Sequence, residues 1–203
     1  AYDVAFDAAE GALLLDNDVG TWWEKYEYFN YNIGGPLTKG QVDLSFKFKM
    51  NGSRLGIILD SGNGQEDSTV ALNTNPWGEA NTWINGVVDK FSGIIGYGSF
   101  PREATKISES KELGQHADDG FNAWLTAKIT ARPKAQKFDV VVKHDDSVIA
   151  ESFDLPMNGT QLQRIVFAQC DDVDWNAKTY IKDIVIDYTA AERAEGNEVY
   201  SQS

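Results

Sequence analysis

Two histidines, His116 and His144, and one cysteine, Cys170, are the chain's whole supply of imidazole and thiol groups. His144 stands in His144-Asp145-Asp146-Ser147, a polar run between two alternating apolar segments, and reads as a solvated turn residue. His116 falls in Gly114-Gln115-His116-Ala117-Asp118-Asp119-Gly120, where a base could sit beside a bound ligand. Gly-x-Ser-x-Gly and His-Glu-x-x-His are absent, and no Gly-x-Gly-x-x-Gly opens a helix. Serine-hydrolase, zinc-protease and dinucleotide chemistry therefore lack support. Glycoside hydrolysis needs two carboxyl groups across the scissile bond, but with 31 acidic residues proximity in sequence decides nothing.

Those acids could instead hold calcium, a hard ion that takes carboxylate, amide and carbonyl oxygens. Candidates are Asp16 with Asp18, Asp118 with Asp119, the group Asp171, Asp172 and Asp174, and above all the run from Asp60 to Asp67. Asp60-Ser61-Gly62-Asn63-Gly64-Gln65-Glu66-Asp67 has the glycine and oxygen density of a metal loop, with Asp60 and Asp67 as ligands of a structural calcium ion. A plain hairpin turn explains the same residues, and no acid cluster has the spacing of a helix-loop-helix calcium site.

Six tryptophans supply the remaining chemistry. Aromatic faces stack on the apolar faces of sugar rings, while amides, arginines and acids hydrogen-bond the hydroxyls. Trp77, Trp83 and Tyr97, interleaved with Asn73, Asn75, Asn81 and Asn85, offer both ingredients in one stretch. Arg54 or Arg102 could meet a carboxylate or sulfate, because a guanidinium fork suits planar or multidentate anions. Core packing is the competing explanation for each ring. Trp22 and Trp23 are adjacent and on a strand must face opposite ways. Trp124 opens a regular strand and is expected in the core.

The elements that must position these residues are strands. Val42-Asp43-Leu44-Ser45-Phe46-Lys47-Phe48-Lys49-Met50 alternates strictly, with the apolar residues on one face. Asn51-Gly52 is a strong turn signal, so Leu55-Gly56-Ile57-Ile58-Leu59-Asp60 is expected to return as its hairpin partner, followed by Ser68-Thr69-Val70-Ala71-Leu72 in a three-stranded meander. Lys137 to Lys143 places Phe138, Val140 and Val142 inward, and His144 to Ser147 turns the chain into Val148-Ile149-Ala150-Glu151-Ser152-Phe153. Tyr180 to Tyr188 is expected to put Tyr180, Ile184, Ile186 and Tyr188 on one face, with Asp183 and Asp187 on the other. One or two strands are expected in the first forty residues. Between Asn73 and Asn122 the pattern fades into a stretch expected to carry binding loops, with Trp83 to Val88 as a candidate strand. The expectation is one all-β domain over residues 1–189, a two-sheet antiparallel sandwich, with 190–203 as a tail or the start of a linker to further domains.

Composition narrows the partners. A net charge of −13 disfavours nucleic acid and anionic membrane surfaces, which require a positive face. No apolar run approaches 18 residues, which argues against a membrane-inserted helix. Cys170 follows Ile165-Val166-Phe167-Ala168 and reads as a buried structural thiol. A chain that starts at Ala1 fits a processed or excised form, and an extracellular or cell-surface location is the expectation.

Four segments together resemble the concanavalin A-like, laminin G-like jelly-roll domains of carbohydrate-binding modules and polysaccharide lyases: Trp124 to Ile129, Lys137 to Val142, Arg164 to Phe167 and Tyr180 to Ile186. The resemblance covers roughly the last third of the chain and rests on scaffold features. It implies two facing antiparallel sheets, a concave face or loop rim that meets a glycan, and often a structural calcium. The Glu-x-Asp-x-x-Glu strand of the related glucanases is absent, as are the Gln-x-His and Tyr-x-Lys-x-x-x-Tyr signatures of jelly-roll alginate lyases, so no catalytic residue carries over. Three functions follow: a non-catalytic carbohydrate-binding domain associated with a polysaccharide-degrading enzyme; a polysaccharide lyase acting by β-elimination on a uronic-acid glycan, with His116, Tyr97 and Arg102 as catalytic candidates; and a protein-binding or structural laminin G-like domain. For a binder, Trp77, Trp83, Tyr97, Arg54 and Arg102 are the expected carbohydrate contacts.

Overall fold

The computed structural model describes residues 4–17, 28–50, 54–61, 68–74, 81–88, 105–112, 124–170 and 177–189. Its strands are β1 (Ala5–Asp7), β2 (Ala12–Asn17), β3 (Tyr28–Leu37), β4 (Gln41–Met50), β5 (Arg54–Asp60), β6 (Ser68–Thr74) and β7 (Asn81–Val88). They continue as β8 (Thr105–Glu112), β9 (Leu125–Arg132), β10 (Lys137–His144), β11 (Ser147–Pro156), β12 (Leu162–Cys170) and β13 (Ala177–Thr189). No helix occurs among the described residues. Two antiparallel sheets result, one of seven strands in the order β1-β2-β13-β4-β9-β10-β11 and one of six in the order β3-β12-β5-β6-β7-β8.

Alternation builds the core. Along β4, Val42, Leu44, Phe46 and Phe48 are at most 1% exposed while the odd-numbered residues reach the surface. Leu125, Ala127, Ile129 and Ala131 of β9 and Phe138, Val140 and Val142 of β10 extend this inner face. Across the sandwich, Leu55, Ile57, Leu59, Leu72, Ile165 and Phe167 meet them. Phe167 joins the layers: it stacks on Phe29 at 4.6 Å within its own sheet and meets the Phe46 ring edge-on at 5.2 Å from the other. Ile184 and Ile186, also expected inward, are partly buried against this core.

Two expectations about connectivity and phase require correction. First, β4 and β5 do not form a hairpin: β4 pairs with β13 and β9, and β5 pairs with β12 and β6, in the other sheet. The chain between them crosses from sheet to sheet. Four Cα steps from Met50 to Arg54 reach at most about 13–14 Å, enough to bridge the roughly 10 Å between stacked sheets. The meander is β5-β6-β7-β8, and it takes in two strands, β7 and β8, from the stretch where alternation fades.

Second, β13 carries a β-bulge. Its register with β4 shifts between Lys182 and Val185, and Asp183 there has a left-handed φ of 53°. The extra residue inverts the strand's phase, so that Ile181 is buried, Tyr180 and Lys182 point outward, and Ile184 and Ile186 return to the core. Tyr180 therefore does not share a face with Ile184. On the outer side of the six-stranded sheet, Ile58 and Val166, one position out of phase with the core residues, are also buried, at 4% and 0% exposure.

The β10–β11 hairpin turns at Asp145-Asp146, as expected, with Asp145 at a φ of 52° and His144 paired with Ser147. The segments after Thr189, and with them the expected tail, lie outside the described residues.

Candidate functional site

The outer face of the seven-stranded sheet gathers polar and aromatic side chains in cross-strand rows. In the register of β13, β4 and β9, Tyr180 lies opposite Lys49, and one step beyond the last paired residues Lys49 faces Trp124. The Lys49 ammonium sits 5.2 Å from the Trp124 ring centroid and 5.4 Å from that of Tyr180. Glu10, in the turn before β2, accepts a hydrogen bond from the Lys49 Nζ at 2.9 Å. The Lys182 ammonium lies 3.9 Å from the centre of the Trp124 ring, a cation–π contact that spans β4. Trp124 and Tyr180 are half-buried, so both rings are seated on the sheet yet reach solvent.

The next row holds Lys182, Lys47, Thr126 and Lys143, and the one after it Val185, Ser45, Lys128 and Val141. Beyond that the charge reverses: Asp187, Asp43, Thr130 and Asp139 form a row in which Asp43 accepts from the Thr130 hydroxyl at 2.7 Å. Asp139 accepts from both terminal nitrogens of Arg132, at 2.7 and 2.8 Å, and from the backbone N–H of Asp154. The Arg132 guanidinium, with that N–H, holds the Asp139 carboxyl below its ordinary range, against the opposing effect of burial. The face thus has an aromatic and lysine half and a carboxylate half.

The residues expected to form the site are placed as follows. Arg54 opens β5 and Trp83 lies on β7; the register aligns Arg54 with Asn73, and Asn73 with Trp83, in one row across the six-stranded sheet. Two strand spacings put their backbones about 10 Å apart. The fold therefore brings Arg54, Asn73 and Trp83 to one region from three separate segments. Trp77, Tyr97, Arg102, His116 and Asp67 lie outside the described residues. Asp60 is buried at the end of β5, where its side chain is 4% exposed and accepts a hydrogen bond from the Arg164 Nε at 2.5 Å. That ion pair gives the buried carboxylate a counter-charge from within the chain. Among the described residues, no three His, Cys, Asp or Glu side chains are gathered as metal ligands. His144 is half-buried at the end of β10, its Nε2 at 3.9 Å from an Asp145 carboxylate oxygen.

The Trp124 cluster was not expected, although alternation contained the signal. Leu125, Ala127 and Ile129 claim the inner face, so Trp124 falls on the side of Thr126 and Lys128. Its position at the start of a strand says only that it is seated on a sheet.

No family model matches the sequence, and no curated protein matches it. Among solved structures, lectin I from Ulex europaeus, in complex with the methyl glycoside of α-L-fucose, is similar at a TM-score of 0.53 and 11% identity, covering 93% of this chain and 90% of that one. Lectin I-B4 from Griffonia simplicifolia, in a metal-free form, is similar at 0.51 and 13%, covering 92% and 91%. The botulinum neurotoxin serotype G binding domain reaches a TM-score of 0.53 at 13% identity; the match covers 98% of this chain but 44% of the toxin domain. These likenesses concern the arrangement of strands. The two antiparallel sheets and their lectin neighbours show that the chain adopts the concanavalin A-like jelly-roll fold.

Proposed function

We propose that this chain is a non-catalytic carbohydrate-binding domain whose ligand lies across the outer face of the seven-stranded sheet. The observation that carries the reading is the row Tyr180, Lys49 and Trp124: two half-exposed rings flank an ammonium, with Glu10 and Lys182 within reach. Rings of this kind offer flat apolar area to a sugar, while the ammonium groups donate to hydroxyls and Glu10 accepts from them. The lectin neighbours support the reading as examples of what this fold does, at a level of identity that concerns the scaffold. A polysaccharide outside the cell or on its surface is the ligand class we favour. Attachment to a polysaccharide-degrading enzyme is the finer part of the proposal, supported by the aperiodic polar run after Tyr188.

A glycan array followed by titration calorimetry of the best ligand tests this. Trp124→Ala and Tyr180→Ala should each weaken binding at least tenfold, equivalent to about 1.4 kcal/mol, while leaving a cooperative thermal transition. Unchanged affinity in both folded variants would remove the face from consideration. In that event the row containing Arg54, Asn73 and Trp83 on the other sheet becomes the site to examine.

A further inference from the structure

Resting on the reading of this face as a glycan site, we infer that its ligand is an acidic polysaccharide whose carboxylate or sulfate groups sit over the lysine half. The chain carries 31 acidic residues against 18 basic ones, yet Lys47, Lys49, Lys128, Lys143 and Lys182 converge on adjoining rows of one sheet face. Lys47 and Lys182 are direct cross-strand partners. Like charges in that position repel across a sheet, a cost that Asp183 at 3.6 Å from Lys47 and the Trp124 ring at 3.9 Å from Lys182 offset in part.

From β13 to β10, the two rows that hold Lys182, Lys47 and Lys143, and then Lys128, contain no carboxylate. The acids that face these lysines stand around them. Glu10 bonds Lys49 from a turn, Asp183 lies 3.6 Å from Lys47 on the bulge, Glu151 is on the edge strand β11, and Asp145 and Asp146 form the turn beyond Lys143. The interior of the patch is positive and its rim is negative. Sheet geometry spaces the ammonium stems at about 4.8 Å across strands and about 6.8 Å along them, so successive charges of an extended chain can each find a lysine. Lysine is a point donor on a flexible stem, which suits anionic groups of varied orientation. The Trp124 and Tyr180 rings give sugar the stacking surface that a purely electrostatic patch would lack.

The test compares dextran, dextran sulfate, polygalacturonate and single-stranded oligothymidylate by calorimetry at low and at moderate salt. Dextran sulfate or polygalacturonate should bind at least tenfold tighter than dextran, with an affinity that falls as salt rises, and oligothymidylate should bind at least tenfold more weakly than the better acidic glycan. The two acidic arms tell sulfate from carboxylate. A Lys47→Gln/Lys128→Gln double variant should keep its unfolding temperature and lose at least fivefold in affinity for the acidic glycan. Equal binding of charged and uncharged dextran overturns this inference and leaves the carbohydrate-binding reading standing. Equal binding of oligothymidylate, no binding of either acidic glycan, or undiminished affinity in the double variant overturns it as well. Failure of the carbohydrate-binding reading itself would show separately, as Trp124→Ala and Tyr180→Ala variants indifferent to every glycan.

Discussion

The Asp139 carboxylate accepts three hydrogen bonds, two from Arg132 and one from the Asp154 backbone, and the same guanidinium reaches Asp154 at 3.0 Å. This network ties β9, β10 and β11 together at the end of the sheet away from Trp124. Its pH dependence has a defined sign. Because the carboxyl titrates below its ordinary value in the folded protein, its contribution is fully present above the unfolded value of about 3.9 and is lost as pH falls through the lowered folded value. Asp139→Asn should cost about 1–2 kcal/mol at pH 7, between exposed ion pairs and buried charged hydrogen bonds. The gap to wild type should narrow as pH drops below about 4 in thermal melts; a gap constant from pH 7 to pH 3 would contradict this account. Single residues were unevenly legible in the sequence. Phe46, Phe48 and Phe138 follow from alternation and are buried at 0–1% exposure. The partner of Asp60 did not, because Arg164 lies 104 residues away and only the pairing of β12 with β5 brings them together.

At the scale of elements, the bulge at Asp183 connects conformation to the site. It lets one strand point Tyr180 and Lys182 at the surface while Ile184 and Ile186 pack inward. A local inversion of phase is invisible to a period-two reading, which is why the sequence suggested one continuous face for Tyr180 and Ile184. The left-handed backbone at Asp183 is tolerated by Asp, Asn and Gly and resisted by β-branched residues. Asp183→Val should therefore cost about 1–2 kcal/mol, while Asp183→Asn, which removes an exposed charge 3.6 Å from Lys47, should change stability by no more than about 0.5 kcal/mol. Chemical denaturation of the two variants decides the point. Equal losses would mean that the charge, and not the backbone, matters at this position.

For the whole molecule, the strand order places the last described strand in the interior of a sheet. Strand β13, the last one described, lies between β2, near the start of the chain, and β4, and it supplies the buried Ile181 together with Thr179. Alternation could say that each strand has a dry face, but not which strands are neighbours; β4 and β5 illustrate this, being adjacent in sequence and opposite in space. Hydrogen-bond partners in such a topology are set by how two amphipathic sheets close over one core, a property of all the strands together. The consequence is a strongly non-local fold in which early strands have no complete sheet until the last has arrived. A chain ending at residue 176 would leave the facing edges of β2 and β4 without a partner and would open the core beside Leu15 and Phe48. It should show no cooperative thermal transition and little dispersion in its amide NMR spectrum. If this truncated chain instead melts cooperatively, then β13 is an addition to a sandwich that is stable without it, and the bulge that orients Tyr180 and Lys182 has evolved on an element free to change.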